Sequence, residues 1–438
     1  MTAEHKLSLP AAILININIM LGAGVFINSV VLAKRAALLG CLAYAVLGIM
    51  ILPLILSIAQ LLTIHPSGGF YVFGRKEINP FWGFVSAWSY FISKLSSAGL
   101  IIHTSILLCQ SIIPALASLN TFALDIALLS LFVALNMFNM QTGSQIQRAF
   151  LGLKMIPISF VVLYGLWYFS PEAISSSPMI FSAIPSSLPL VLYAILGFEA
   201  TCSLSSKIKD THINGPKAIY ISYGVVIGLL IAFQLFFYLL LGNTLAEQTS
   251  YLGAFPALLA KLFPAMPWLQ HKLEVILHLA IAASAVGGSY GIIFSNNWNL
   301  YTLAQHGHII GSSLFTKLNK HHIPFACVIA EGVLCVLYLL VSQGKQIPLQ
   351  QISSFGSSIG YTLSVIALVV ATARKPQLGF NPWIGWLGLL SCTILLGACI
   401  HNFMHTGFTT LLAYLLLLAF GIGMYYYTRS LKQNIQID

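Results

Sequence analysis

Charge is what this sequence has least of. Only 7% of its 438 residues are Asp, Glu, Lys or Arg, and the acidic residues number 10. A folded chain of this length cannot cover its surface with so few charges, so a soluble globular protein is excluded. Its seven cysteines, Cys41, Cys109, Cys202, Cys327, Cys335, Cys392 and Cys399, show no Cys-x-x-Cys spacing. They fall in or beside apolar segments and read as small packing residues, not as metal ligands or a disulfide framework. No small-residue cleavage site follows the first apolar segment, which therefore reads as a retained helix. A constellation of nucleophile, base and orienting acid is missing, which argues against an enzyme and against any cofactor. So is a repeated filter or a ring of charges, which argues against a channel.

What is present is apolar. Hydrophobic residues make up 58% of the chain, and the mean hydropathy is +0.89. About twelve segments approach the ~20 residues that cross a hydrocarbon core of roughly 30 Å. They lie at 10–33, 37–62, 82–113, 121–140, 149–169, 188–206, 217–242, 273–302, 324–342, 349–373, 380–400 and 406–428. The net charge of +10 then reports orientation and not nucleic-acid binding. With both termini in the cytoplasm, the inner loops and their edges hold fourteen of the twenty basic residues. The outer loops hold five, Lys34, Arg35, Lys261, Lys272 and Lys345, and Lys94 lies in mid-segment. That bias matches the excess of Lys and Arg expected on the cytoplasmic side.

The expected fold class is an all-α integral membrane protein. The first ten spans divide into two sets of five; five is odd, so the second set enters the bilayer in the opposite sense and forms an inverted repeat. The expected division is 1–187 for the first repeat, 188–375 for the second, and 376–438 for two additional helices and a short cytoplasmic tail. Those last two helices carry few polar residues and are assigned to support or to a candidate homodimer contact. The outer stretch 244–271, with Pro256, Pro264, Pro267 and Trp268, is long enough for a short interfacial helix over an outer vestibule.

Each repeat opens on an interrupted helix. Asn16 to Asn28 lies inside the first apolar segment yet carries Gly22 and Gly24, and the segment from Leu188 to Ser205 carries Gly197-Phe-Glu199 at its middle. Irregular backbone at membrane depth survives only where protein or a polar cavity surrounds it. Paired interruptions in corresponding positions of two halves point to a transporter's substrate site. Close packing of small residues between helices is the alternative for each.

Four stretches now fall into order: Gly22-Ala-Gly-Val-Phe26; His65-Pro-Ser-Gly-Gly-Phe-Tyr71 with Gly83 to Trp88; Gly197-Phe-Glu199 followed by Lys209-Asp-Thr-His-Ile-Asn-Gly-Pro-Lys-Ala218; and Leu300-Tyr-Thr-Leu-Ala-Gln-His-Gly307 with Phe315-Thr-Lys-Leu-Asn-Lys-His-His-Ile-Pro324. Together they resemble the amino acid-polyamine-organocation (APC) transporters, the bacterial amino acid permeases and their antiporter relatives. The resemblance implies a LeuT-like 5+5 inverted repeat with discontinuous helices 1 and 6. It also implies secondary active transport of an amino acid by alternating access, with a proton or a counter-substrate as partner. A sensor that keeps the pocket without cycling, and an exchanger of an amino acid against its decarboxylated amine, stand as alternatives. A bacterial inner membrane is the expected location. Ser205, Ser206 and Lys207 stand where many members are acidic, Gln305-His306 where many have Arg-Asp, and Asn28 and Ser29 where small residues and proline are common. These departures weaken any transfer of substrate identity.

In the family an amino acid binds between the two breaks. Unwinding at Gly22, Ala23 and Gly24 frees N–H groups at a half-helix start, where the dipole favours an α-carboxylate. The freed carbonyls of Met20 and Leu21, with those around Ala194 and Ile195, would accept from an α-ammonium, and Gly197 permits close approach. Phe26 and Tyr193 are candidates to cover the substrate side chain, with plain core packing as the alternative. Glu199, near mid-membrane, marks a proton relay or a permanent ion pair. Lys154 lies where proton-coupled members carry an amine in place of a sodium ion; snorkelling to the interface is its other reading. Lys94, roughly 20 Å along the third span, needs a partner such as Glu199, a substrate carboxylate or a wet cavity, whether it serves the pathway or the structure. Glu331, His103 and His278 read as helix-to-helix hydrogen-bonding residues. His306, His308, His321 and His322 lack a supporting carboxylate or cysteine for metal binding, and Ser96, Ser97, Ser357 and Ser358 line a polar path or a close helix contact.

Overall fold

The computed structural model describes residues 6–22, 24–175 and 177–435, without the side chains of 186, 189, 193, 378, 406 and 432–435. In chain order the helices are α1 (Leu9–Met20), α2 (Gly24–Ala36), α3 (Gly40–Ile64), α4 (Phe70–Glu77), α5 (Pro80–Ile112), α6 (Pro114–Ala117), α7 (Thr121–Leu135), α8 (Met140–Trp167), α9 (Pro171–Ser175), α10 (Ile184–Ile195), α11 (Ala200–Ser203), α12 (Thr211–Leu241), α13 (Asn243–Glu247), α14 (Tyr251–Leu262), α15 (Pro267–Gln305), α16 (Ser312–Phe315), α17 (Phe325–Ser342), α18 (Gln346–Arg374), α19 (Pro382–Thr406) and α20 (Thr409–Ile435). Among the described residues the only β-type pairings are the isolated bridges of Leu7 with Ile208 and of Ala37 with Met179. The protein is all-α.

Local chemistry starts these helices where the sequence changes character. The side chains of Asn79, Asn120, Asn139 and Asn381 accept from Trp82 N, Ala123 N, Thr142 N and Trp383 N at 2.9–3.0 Å. Each satisfies one of the orphan donors of a first helical turn. Pro80 and Pro382 follow two of these caps, at positions where a missing N–H loses nothing.

Among the described residues nine helices are long and apolar enough to cross a membrane: α3, α5, α8, α12, α15, α17, α18, α19 and α20. The pair α1 and α2, bent by 47°, makes a tenth. All twelve expected spans have a helix in their place, but two are short. Helix α7 has 15 residues, and the segment at 188–206 is divided into α10, of 12 residues, and α11, of 4. The division has a local cause, because Gly197 adopts φ +128° and no helix continues through it.

Helix α5 packs against both α15 and α18, α3 packs against α12 and α18, and α8 packs against α15. Leu163, Trp167, Val341, Leu416 and Phe420 stand exposed on the periphery, as side chains that face lipid do. In the stretch expected to hold an interfacial helix, α14 buries Phe255, Leu258 and Leu259 and packs against α2 and α15.

Candidate functional site

The two interruptions are tied together. Asn16 of α1 donates to Phe198 O at 3.0 Å, Thr201 Oγ1 at 2.7 Å and Ser222 Oγ at 3.2 Å. Asn28 of α2 donates to Leu190 O of α10 at 3.1 Å. Leu7 N donates to Lys207 O at 2.8 Å, and Lys209 N to Leu7 O at 2.9 Å, closing a short bridge beneath them. A β-carbon on Gly197 would lie 2.9 Å from Ile19 Cγ2 and 3.1 Å from Met20 N, so the second break rests directly on the end of α1.

A cavity of about 200 Å³ opens where these breaks meet α5, α15 and α18. Ile19, Met20, Gly22, Gly24, Ile27 and Asn28 line it from the first break, and Leu190, Ala194 and Leu196 from the second. Helix α5 contributes Lys94, Ser97, Leu100, Ile101 and Thr104, α15 contributes Ala285 and Ile292, and α18 contributes Gln346, Gln350 and Ser353. Lys94 to Thr104 spans ten residues of one helix, or roughly 15 Å. Past Lys94 the space is filled by buried aromatics. Phe70 stacks on Tyr90 with ring centroids 4.2 Å apart, and Tyr361 lies 5.6 Å from Phe198 and 6.2 Å from Phe70. At about 200 Å³ the cavity is smaller than the ~300 Å³ at which drug-sized sites begin; it suits one small metabolite.

Of the residues expected at the substrate, Met20, Gly22, Gly24 and Ala194 line this cavity. Leu21 does not: its carbonyl is taken by the Lys154 ammonium, with Ser284 Oγ at 3.5 Å. Ile195 is buried away from the cavity. Phe26 is fully buried and packs 5.6 Å from Phe233 and 6.3 Å from Phe255, in the core position that was its alternative. Ala23 and the side chain of Tyr193 lie outside the described residues. The cavity lining of Asn28, Thr104, Gln346, Gln350 and Ser353 was not anticipated as substrate-facing. Only Asn28, an amide inside an apolar segment, carries a signal in the sequence.

Three buried charges surround the breaks. Lys154 is shut from solvent and also donates to Asn18 O at 2.6 Å, so it caps the last carbonyls of α1 and does not snorkel. The negative end of the helix dipole favours a cation there. Glu199 accepts from Lys94 at 2.5 Å, from Tyr90 Oη at 3.1 Å and from Gly197 N at 2.9 Å. Its carboxylate thus joins α5 to the backbone of the second break.

Of the remaining candidates, all but Ser97 lie outside the lining. Glu331 accepts from Asn296 at 3.0 Å, His103 pairs with Asp125 at 2.7 Å, and His278 meets Leu252 O at 3.1 Å. Each joins two helices. His308 contacts Tyr71 Oη at 2.7 Å, and no group of three or more metal-ligating side chains occurs among the described residues. Ser97 lines the cavity, Ser96 donates to Leu349 O at 2.7 Å, and Ser357 meets Ser93 at 2.9 Å. Ser358 donates to Ser354 O at 2.8 Å within α18. Outside the spans, Glu77 of α4 is held by His65 at 2.7 Å and Lys375 at 2.8 Å. Burial pushes its carboxyl up, but the bonds and charges of Lys375 and His65 outweigh it and hold Glu77 below the usual carboxylate range.

The sequence profile of the amino acid permease family matches residues 7–422. An uncharacterized transporter of Mycobacterium tuberculosis is 23% identical over 400 residues, covering 90% of this chain and 86% of the relative. The b(0,+)-type amino acid transporter 1 of Mus musculus is 22% identical over 390 residues, covering 86% of this chain and 77% of the relative. An uncharacterized transporter of Legionella pneumophila is 25% identical over 300 residues, covering 65% and 62%.

Proposed function

The chain belongs to the amino acid permease family, and from that premise we propose that it is a secondary active transporter of amino acids working by alternating access, through proton symport or substrate exchange. The observation that carries this is the cavity at the meeting point of the two helix breaks. The α2 helix begins at Gly24, inside the lining. Its first-turn N–H groups have no intrahelical partner and its dipole is positive, which suits an α-carboxylate. Backbone oxygens around Met20 and Ala194 are the proposed acceptors for the α-ammonium.

The two sets of five helices, 1–187 and 188–375, are proposed as the inverted repeats that move against each other, with 376–438 as support. In the orientation favoured by the basic residues, both termini face the cytoplasm of a bacterial inner membrane. The cavity then opens outward, and the layer of Phe70, Tyr90, Phe198 and Tyr361 closes the inward path. Glu199 and Lys94 are proposed to latch the second break to α5, and Lys154 to hold the first in the position a bound cation would otherwise occupy. Exchange of these partners during the cycle gives a route for coupling to protons.

Uptake of a panel of radiolabelled amino acids into proteoliposomes tests this. Uptake driven by an imposed proton gradient supports symport. Uptake only into vesicles preloaded with amino acid or with its amine supports exchange. No uptake under either condition sinks the transporter reading and leaves a sensor.

A further inference from the structure

The cavity has one charged wall. Lys94 is the only ionisable side chain among the described residues lining it. Its counter-charge, Glu199, is fully buried and absent from the lining. The other polar groups of the wall, among them Asn28, Ser97, Gln346 and Gln350, are uncharged. Lys154, the second buried lysine, also stays out of the lining and is bound to the carbonyls of Asn18 and Leu21. Among the described residues no carboxylate lines the cavity.

An ammonium has three donors and no acceptor. One donor of Lys94 goes to Glu199, and the ring of Tyr90 lies 5.2 Å from the nitrogen on the same helix. Glu199 and Tyr90 are the ionisable groups that face Lys94 from the second break and from α5. A side chain entering the cavity therefore meets a cation that can donate further bonds and that repels a second cation. The start of α2 supplies a separate anion-favouring locus in the same cavity, so the α-carboxylate does not need Lys94.

We propose that Lys94 sets the substrate class: amino acids whose side chain ends in a hydrogen-bond acceptor, carboxylate or amide, with cationic side chains rejected. The inference rests on the transporter reading above for the identity of the ligand as an amino acid. Either acceptor makes a charge-assisted bond to the ammonium, and the carboxylate adds an opposite full charge, so it is the preferred end and the amide the second.

The test is competition binding to the purified full-length protein at pH 7, using radiolabelled glutamine displaced by unlabelled glutamate, glutamine, leucine or lysine, with proteoliposome uptake measured in parallel. Glutamate and glutamine should bind at least about tenfold more tightly than lysine, the scale of one charge-assisted bond gained or lost. Lys94→Met alone would leave Glu199 buried without its counter-charge, so the informative variant is Lys94→Met with Glu199→Gln. In it the preference should shrink to about threefold or less, whereas Lys94→Arg, which keeps the charge, should still reject lysine. Lysine competing as well as glutamine against the wild type overturns the proposal, as does an undiminished preference in the double variant. Selective binding without uptake, either under a proton gradient or into preloaded vesicles, supports this inference and sinks the transporter reading. Unselective uptake does the reverse, and no binding of any of the four overturns both.

Discussion

Lys94 and Lys154 are both buried, 5% and 0% exposed, yet they are held by different kinds of partner. Lys154 is held by backbone, the carbonyls that the end of α1 leaves without intrahelical partners. Lys94 is held by a carboxylate, Glu199, which also grips Gly197 N and Tyr90. A charge held by backbone belongs to the shape of the break and leaves only if the helix end rearranges. A charge held by a side chain can exchange its partner for another anion while the backbone stays in place. The first arrangement suits a structural cation, and the second suits a group that meets substrate.

Breaking the carboxylate pair should give the largest effect. Lys94→Met, which strands a buried carboxylate, is expected to cost about 3–5 kcal/mol of stability. Adding Glu199→Gln should restore most of that loss, read as recovery of the unfolding midpoint in detergent. If the double variant is as unstable as the two losses added together, the pair is not the unit described here. Lys154→Met comes next, because it leaves the buried Asn18 carbonyl without its side-chain donor, at about 1–3 kcal/mol, and Leu21 O with only the long bond from Ser284. Since Lys154 and Glu199 share no partner, Glu199→Gln should add to that loss and relieve none of it.

The same contrast extends to the glycines of the two breaks. Gly197 has φ +128° and lies against Ile19, whereas a β-carbon on Gly22 would meet nothing within 4 Å. Gly197→Ala should therefore destabilise by roughly 1–3 kcal/mol. Gly22→Ala should stay within about 0.5 kcal/mol. Equal melting shifts for the two would remove the distinction.

The smallest effect concerns Glu77, outside the spans. Its folded pKa lies below the unfolded value. The stability it contributes is therefore fully present above the unfolded value and is lost as pH falls through the folded one. Glu77→Gln should lower the melting temperature at neutral pH and flatten its decline in acid. An acid profile identical to wild type would show that the link of His65, Glu77 and Lys375 contributes nothing measurable.

Much of this was legible in the sequence because membrane depth turns residue type into position. An ionisable side chain in an apolar run is costly unless it has a partner, and a glycine pair there marks a possible break, so Gly22, Gly24, Glu199, Lys94 and Lys154 stand out in the sequence. Sequence had left Glu199, a substrate carboxylate or a wet cavity open as the partner of Lys94; in the structure it is Glu199. Illegible were the features set by rotation and packing. Whether Phe26 faces a cavity or the core depends on the turn of α2 after the break, and it faces Phe233 and Phe255. The lining of Gln346 and Gln350 depends on how α18 starts, which apolar periodicity does not encode. The shortness of α10 follows from one residue's φ at Gly197.

The central claim is that the cavity between the two breaks holds the amino acid. Saturable binding of radiolabelled amino acids to purified wild type and to Ala194→Phe tests it most directly, because Ala194 lines the cavity and a β-carbon on Gly24 would lie 3.5 Å from its Cβ. Ile101→Trp serves as a second filling from α5. The account predicts that binding is lost in both variants while their unfolding midpoints are kept. Wild-type affinity in either variant with the cavity filled would contradict it.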